Sequence, residues 1–177
     1  MRAVDVDFDK ITNRKLQFTD DLSGFKCDQD DRLGCDDFIH EEDEAKLYQK
    51  ERQGITYLFF YEGDVVGYVT LTVSSITAKR MDKRFNESVR LTFYPSLLIG
   101  RLAVDNNWRR KGIGKYLSDW CLGFAIAMSE KVGCRYVIVE TDESNVSFYE
   151  SCAFKRGKEL DEDRRKLVWM YQRIVFE

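Results

Sequence analysis

Histidine and proline are almost missing from this 177-residue chain, which has one of each, His40 and Pro95. A single imidazole excludes histidine-rich metal centres and leaves at most one histidine for any catalytic triad. The five cysteines, Cys27, Cys35, Cys121, Cys134 and Cys152, are odd in number and form no CxxC pair. Neither a disulfide framework nor a zinc knuckle is signalled, so buried, reduced thiols and no metal are expected. Long apolar runs are lacking too: the longest, Tyr57–Tyr61 and the stretch around Phe124–Met128, fall far short of the roughly 18 residues that span a bilayer. No membrane partner is expected. The start, MRAVDVDFDK, carries acids where an export signal would carry bases. A cytoplasmic protein is the expectation. There is no basic excess either, since 28 Lys and Arg face 31 Asp and Glu for a net charge of −3. The strong positive balance with which most nucleic-acid binders neutralise phosphates is therefore absent.

What is present suits one globular domain over residues 1–177, because at about 150 residues per domain the length leaves no room for a second core. Apolar residues make up 44% and charged residues 33%, enough to bury a core and too balanced for disorder. The first third is acidic, with Asp20, Asp21, Asp28, Asp30, Asp31, Asp36 and Asp37 followed by Glu41–Glu44. From Asp36 to Arg52 the acids come first, the bases last and Gly54 just after, which predicts one helix. ITYLFFYEGDVVGYVTLTV predicts a hairpin turning at Glu62-Gly63-Asp64. Ser75–Pro95 reads as a polar excursion or short helix. Lys79, Arg80, Lys83 and Arg84 in it are either a solvated face or a contact for substrate or RNA.

Ser96–Val104 then reads as a buried strand. Ile113, Leu117, Trp120, Cys121, Phe124 and Met128 recur at three- and four-residue steps, predicting a helix over 112–131. RYVIVET predicts another buried strand, Ser144-Asn145 the caps of a short helix holding Phe148 and Tyr149, and Lys166–Phe176 a last strand. Strand, helix, strand from Ser96 to Thr141 is one parallel βαβ unit among hairpins. The expected fold is α/β (α+β), with a mixed, mostly antiparallel central sheet.

Between the strand ending at Val104 and the long helix stands DNNWRRKGIGK, Asp105–Lys115. Its glycines let the backbone approach a ligand, a helix N-terminus offers amide donors, and Arg109, Arg110, Lys111 and Lys115 add positive charge. These are the ingredients of a polyphosphate cradle. Gly114-Lys115 is followed by Tyr116, which fails the NTPase P-loop pattern. Leu117 stands where a dinucleotide fingerprint needs its third glycine.

Arg109-Arg110-Lys111-Gly112-Ile113-Gly114 directly after RLAV resembles the Arg/Gln-x-x-Gly-x-Gly/Ala loop of the GCN5-related N-acetyltransferase (GNAT) superfamily. Asn145-Val146-Ser147-Phe148-Tyr149-Glu150-Ser151-Cys152-Ala153-Phe154 resembles that family's Asn…Phe-Tyr-Glu-x-x-Gly-Phe segment, with Ala153 where glycine is usual. Upstream, Phe25-Lys26-Cys27-Asp28 and Gly34-Cys35-Asp36-Asp37-Phe38-Ile39 loosely follow a subgroup that includes toxin-like acetyltransferases. The resemblance implies splayed central strands, helices on both faces of the sheet, and acetyl-CoA as co-substrate. Its diphosphate would lie on Arg109, Arg110, Lys111, Gly112, Ile113, Gly114 and Lys115, and its pantetheine arm along the backbone of Leu102, Ala103 and Val104.

An amine would attack the thioester directly, which requires a neutral amine and a proton for the departing thiolate. Tyr149 matches the family's tyrosine near the sulfur, and a phenol of pKa about 10 suits that donor role; the alternative is that it simply packs beside Phe148. Asn145 either bonds the pantetheine arm or caps a helix. No base is assigned by motif, since Arg101 stands where many relatives carry a glutamate. Glu140 or Asp142 could accept the proton, or could be surface and capping residues. His40 sits in an acidic helix and suits neither role, while Cys121 and Cys134 fall in core contexts.

Three functions remain open. The first is acetyl transfer to a primary amine of a small molecule or protein; the second is toxin-like acetylation of aminoacyl-tRNA; the third is an acyl-CoA sensor without turnover. The tRNA reading is not favoured by the acidic balance, although Lys79, Arg80, Lys83, Arg84, Arg164, Arg165 and Lys166 could supply cations if clustered. The acidic upstream region would suit a cationic acceptor or merely solvate a helix. A homodimer fits the sheet edges.

Overall fold

Alternating burial fixes where each strand faces, and turn chemistry fixes where it stops. The computed structural model describes residues 5–27, 33–81, 87–160 and 167–176. Asp28, Asp30, Asp31, Lys83, Arg84, Arg164, Arg165 and Lys166 lie outside the described residues. Residues up to Leu71 with Gly100–Ser118 form one compact unit, and Thr72–Ile99 with the residues from Asp119 onward form another. Strands β3 (Asp64–Thr77) and β4 (Phe93–Val104) run through both.

In the first unit, β1 (Thr12–Lys15) pairs antiparallel with β2 (Ile55–Tyr61), and β2 with β3. Glu62 at φ 51° and Gly63 at φ 94° close the expected hairpin, the double positive φ of the two-residue turn that matches strand twist. Leu58 faces Tyr68 across the ladder and Phe59 faces Gly67. Adjacent positions point to opposite faces, so these two rungs mark the two sides of the sheet. Leu58 and Tyr68 pack with Phe38, Ile39 and Ala45 from α1 (Cys35–His40) and α2 (Glu44–Lys50). On the opposite face, a Cβ at Gly67 would stand 2.9 Å from Leu117 Cδ1 and 2.7 Å from the Ala103 carbonyl. Only glycine lets the first turns of α3 (Ile113–Ser129) lie that close. Helices therefore cover both faces.

The single helix expected over 36–52 is two helices joined by a 3-10 turn at Glu41–Asp43. Asp43 adopts φ 57°, left-handed backbone that ends the helical ladder and that Asp tolerates better than most residues. Nor does Gly54 cap α2. Arg52 takes the left-handed position, with Gln53 N donating to Tyr48 O at 3.0 Å and Arg52 N to Gln49 O at 3.2 Å. Gly54 is needed for space instead, because a Cβ there would meet Tyr48 and Thr70 side chains at 3.0 Å.

In the second unit, β4 pairs parallel with β5 (Tyr136–Thr141), β5 antiparallel with β7 (Val168–Arg173), and β7 with the two-residue β6 (Lys155–Arg156). The seven strands follow the order β1-β2-β3-β4-β5-β7-β6, a mixed sheet that contains the expected parallel pair. The β4–β5 register covers Ser96–Ile99 against Tyr136–Val139 and ends there, although β4 continues to Val104. Between β3 and β4 the polar excursion contains a 3-10 turn at Ala78–Arg80. Arg80 is buried over the Trp169 ring at 4.8 Å and donates to Lys158 O, so it does not belong to an exposed basic face.

All five cysteines are buried free thiols. Burial pushes the Cys121 thiol well above its ordinary pKa, as befits a core residue. Among the described residues no helix is long and apolar enough to cross a membrane.

Candidate active site

The loop after β4 is built around a buried carboxylate. Asp105, 3% exposed, accepts hydrogen bonds from Lys26 N (2.9 Å) on Oδ2 and from Asn107 N (2.9 Å) on Oδ1, while its own amide donates to Val66 O at 3.0 Å. One side chain thus ties the strand end, the upstream segment and the 3-10 turn Asn106–Trp108 together. Burial of an anion is tolerable here because backbone donors surround it.

Beyond the turn, Arg110 at φ 58° and Gly112 at φ 82° reverse the chain into α3. Phe8 closes over Gly112: a Cβ there would lie 3.0 Å from Phe8 Cζ, and the Phe8 ring stacks on Tyr116 at 5.5 Å. Helix geometry leaves the first-turn amides of α3 without intrahelical acceptors, and the dipole makes that end positive. An anion-binding loop is the chemical meaning of this arrangement.

The predicted cations are not equivalent. Arg109 is half-buried, with Nη2 donating to Cys27 O at 2.8 Å and Nε to Val104 O at 3.4 Å. It holds the loop to the upstream segment. Lys111 donates to Asn107 O at 3.0 Å and lies 4.5 Å from the Trp108 ring centroid, and Trp108 packs edge-on against Tyr61. Arg110 and Lys115 are exposed, Ile113 is buried in the core, and Gly114 lies in the first turn of α3. Leu102 and Val104 are half-buried and Ala103 buried. Phe8, Tyr61 and Trp108 were missed as loop-forming residues. Their only sequence signal was aromatic character, and the partners come from distant segments.

The second half of the candidate chemistry is a helix ending. Helix α4 (Val146–Ser151) finishes with Phe154 N donating to Tyr149 O at 3.0 Å and Ala153 N donating to Glu150 O at 2.9 Å. Ala153 sits at φ 65°. This pair of bonds is a Schellman motif, with Tyr149 at its third-last helical position, Ala153 at the left-handed position and Phe154 just beyond. The ring of Phe154 packs on Tyr149 at 5.4 Å and Phe148 on Tyr149 at 4.9 Å. Tyr149 is 6% exposed. The Tyr-Glu-x-x-Gly-Phe pattern therefore has a physical meaning: its terminal residues end the helix and bring Phe154 against the tyrosine ring.

Around it, the capping expectation is corrected. The Asn145 side chain makes no cap bond. Asp142 is the cap, accepting from Ser144 N at 2.9 Å and from Ser144 Oγ, because its carboxylate precedes the 3-10 turn Glu143–Asn145. Glu143 fastens that turn to β6 through Arg156, with 2.5 and 2.8 Å contacts; the Arg156 hydrogen bond holds its carboxyl below the usual range. Glu140 is exposed on β5, opposite Trp169 in the ladder. His40 Nε2 lies 2.8 Å from Phe25 O, a local tether.

Comparison with known proteins agrees with this geometry. The model of the acetyltransferase (GNAT) family matches residues 26–154. A curated relative, glucosamine 6-phosphate N-acetyltransferase 1 of Dictyostelium discoideum, is 27% identical over 151 residues, covering 84% of this chain and 87% of its own. Among solved structures, a tyrosine-to-phenylalanine mutant of KacT superposes with a TM-score of 0.77 at 20% identity, covering 93% of this chain and 95% of that one. AtaT complexed with acetyl-methionyl-tRNAfMet gives 0.76 at 22%, covering 92% and 94%. The family match, spanning both the loop after β4 and the α4 segment, settles the assignment: the chain belongs to the acetyltransferase (GNAT) family and is an N-acetyltransferase.

Proposed function

We propose that residues 1–177 act as one acetyl-CoA-dependent N-acetyltransferase domain whose acceptor is a primary amine of a small molecule or protein. The observation that carries the residue roles is the Schellman ending of α4, which packs Phe154 against the ring of the buried Tyr149. Backbone amides of a positive helix end, together with exposed cations, are the donor set a diphosphate needs. In this reading Arg110, Lys111, Gly112, Ile113, Gly114 and Lys115 hold the diphosphate of acetyl-CoA, and Arg109 supports them by bracing the loop. The backbone of Leu102, Ala103 and Val104 pairs with the pantetheine arm, and Asn145, which caps nothing, bonds it as well.

The neutral amine nitrogen forms its bond to the acyl carbon as the carbon–sulfur bond breaks. The electron pair leaves on sulfur, which takes the Tyr149 proton, while the acceptor nitrogen gives its surplus proton to Glu140, directly or through water. Tyr149 recovers its proton from solvent before the next turnover. A cytoplasmic homodimer completes the reading.

A toxin-like action on aminoacyl-tRNA is the second reading. Fold likeness to AtaT supports it, and the burial of Arg80 weakens it. Acetyl-CoA labelled in its acetyl group, incubated with the protein and a whole-cell extract, tests all three functions. Label in protein or small-molecule fractions is expected. Label in RNA that is lost on deacylation would replace this reading with the second, and no label anywhere would reduce the protein to an acyl-CoA sensor.

A further inference from the structure

Strand β4 carries a cation into an apolar face. Arg101 lies two residues before Ala103, so their side chains share a side of the sheet, and Ala103 belongs to the cluster of Phe38, Leu58 and Tyr68. The Arg101 guanidinium carbon stands 5.0 Å from the Phe38 ring centroid, and Phe38 in turn stacks on Tyr68 at 6.5 Å. Arg101 is half-buried. Its Nη1 donates to Gly100 O at 2.8 Å, whereas its Nε is fully buried with no acceptor. Among the described residues no carboxylate pairs with it.

Two other partly buried arginines have a carboxylate where Arg101, among the described residues, has none. Arg135 and Arg173 both bind Glu87 at 3.0 Å. A cation–π contact does not by itself offset the partial desolvation of a guanidinium. A planar fork of donors that no anion meets among the described residues suits a ligand, since arginine matches the oxygens of phosphate and carboxylate two at a time.

We propose that Arg101 is an anion anchor for the acceptor: the amine this enzyme acetylates carries a phosphate or carboxylate group that Arg101 holds. This rests on the acetyl-transfer reading, in which the adjoining Leu102–Val104 backbone carries the pantetheine arm. Two residues of strand span about 6.6 Å, so an amine at the thioester and an anionic group at Arg101 fit within one metabolite-sized molecule. A cation here also repels an ammonium group and attracts an anion, opposite to a carboxylate at the same position. Acceptor choice thereby becomes a function of the anionic group.

Two measurements decide it. The protein is first saturated with CoA, which fills the diphosphate loop, and inorganic phosphate is titrated while the melting temperature is followed. A saturable upward shift is expected for wild type, a weaker one for Arg101→Lys, and none for Arg101→Gln. No shift in wild type, or equal shifts in all three, would overturn the anchor. Acetyl transfer is then compared within two acceptor pairs, glucosamine 6-phosphate against glucosamine and a free amino acid against its methyl ester.

Wild type should favour one anionic partner at least tenfold in kcat/KM, the scale of a charge-assisted hydrogen bond, and the favoured pair names the group as phosphate or carboxylate. The ratio should fall to about one in Arg101→Gln and recover partly in Arg101→Lys. A ratio that the substitutions leave unchanged makes Arg101 a clamp on Phe38 only and refutes the proposal. If wild type acetylates neither pair nor any amine in extract, the acetyl-transfer reading fails by itself, and the phosphate titration still decides Arg101.

Discussion

Replacing Ala153 by glycine should stabilise the protein while leaving its chemistry intact. Ala153 holds φ 65° at the left-handed position of the α4 Schellman motif, where a Cβ crowds its own backbone. That conformation costs an L residue about 1–2 kcal/mol relative to glycine. The methyl group offsets nothing, because Ala153 is exposed. Against the gain stands the greater freedom of glycine in the unfolded chain, about 0.4–1 kcal/mol. The balance is roughly 1 kcal/mol in favour of Ala153→Gly, or about 2–4 °C in Tm for a chain of this size. Urea unfolding followed by circular dichroism should show a higher midpoint at unchanged m-value, the mark of a net gain in stability. Arg52→Gly, at the matching position after α2 with φ 59°, should behave alike, and Ala153→Val should lose stability, since a β-branched residue resists positive φ. A lower midpoint for Ala153→Gly would refute the reasoning and mean that its neighbours, not the backbone, set the energy of this turn.

Tyr149→Phe should keep acyl-CoA affinity and lose about tenfold or more in turnover, measured by thiol release; equal turnover removes the phenol from the mechanism. Arg110→Ala should weaken CoA binding severalfold in a titration without moving Tm, because Arg110 is exposed, whereas Arg109→Ala should also lower Tm by freeing Cys27 O; unchanged CoA affinity for Arg110→Ala would discard the diphosphate assignment. Gly67→Ala should cost about 1–3 kcal/mol, since its Cβ would meet the Ala103 carbonyl at 2.7 Å; a midpoint within error of wild type would show that β4 yields. Asp20, held below the ordinary carboxylate range mainly by its hydrogen bond to Arg14, stabilises the fold above its unfolded pKa and loses that contribution as pH falls through its folded value. The stability gap between wild type and Asp20→Asn, read from denaturant midpoints, should therefore be full at pH 7 and vanish in acid; a gap that persists at low pH would deny the ion pair its role.

Residue order alone determined much of this molecule. Periodicity marked α3, β4 and β5, because a buried strand or an amphipathic helix writes its period directly into the chain. The glycines and cations after RLAV and the Phe-Tyr-Glu segment marked both halves of the chemistry, since each is a local run whose residues act together. Tertiary structure decided what depends on distant partners. It split the acidic helix at Asp43, moved the cap from Asn145 to Asp142, and turned Arg109 into a brace by offering it the Cys27 carbonyl. It also brought Phe8 over Gly112 and Phe38 under Arg101. Local patterns follow from the geometry of one helix turn or one strand, whereas the role of a charge depends on which acceptors the folded chain carries to it.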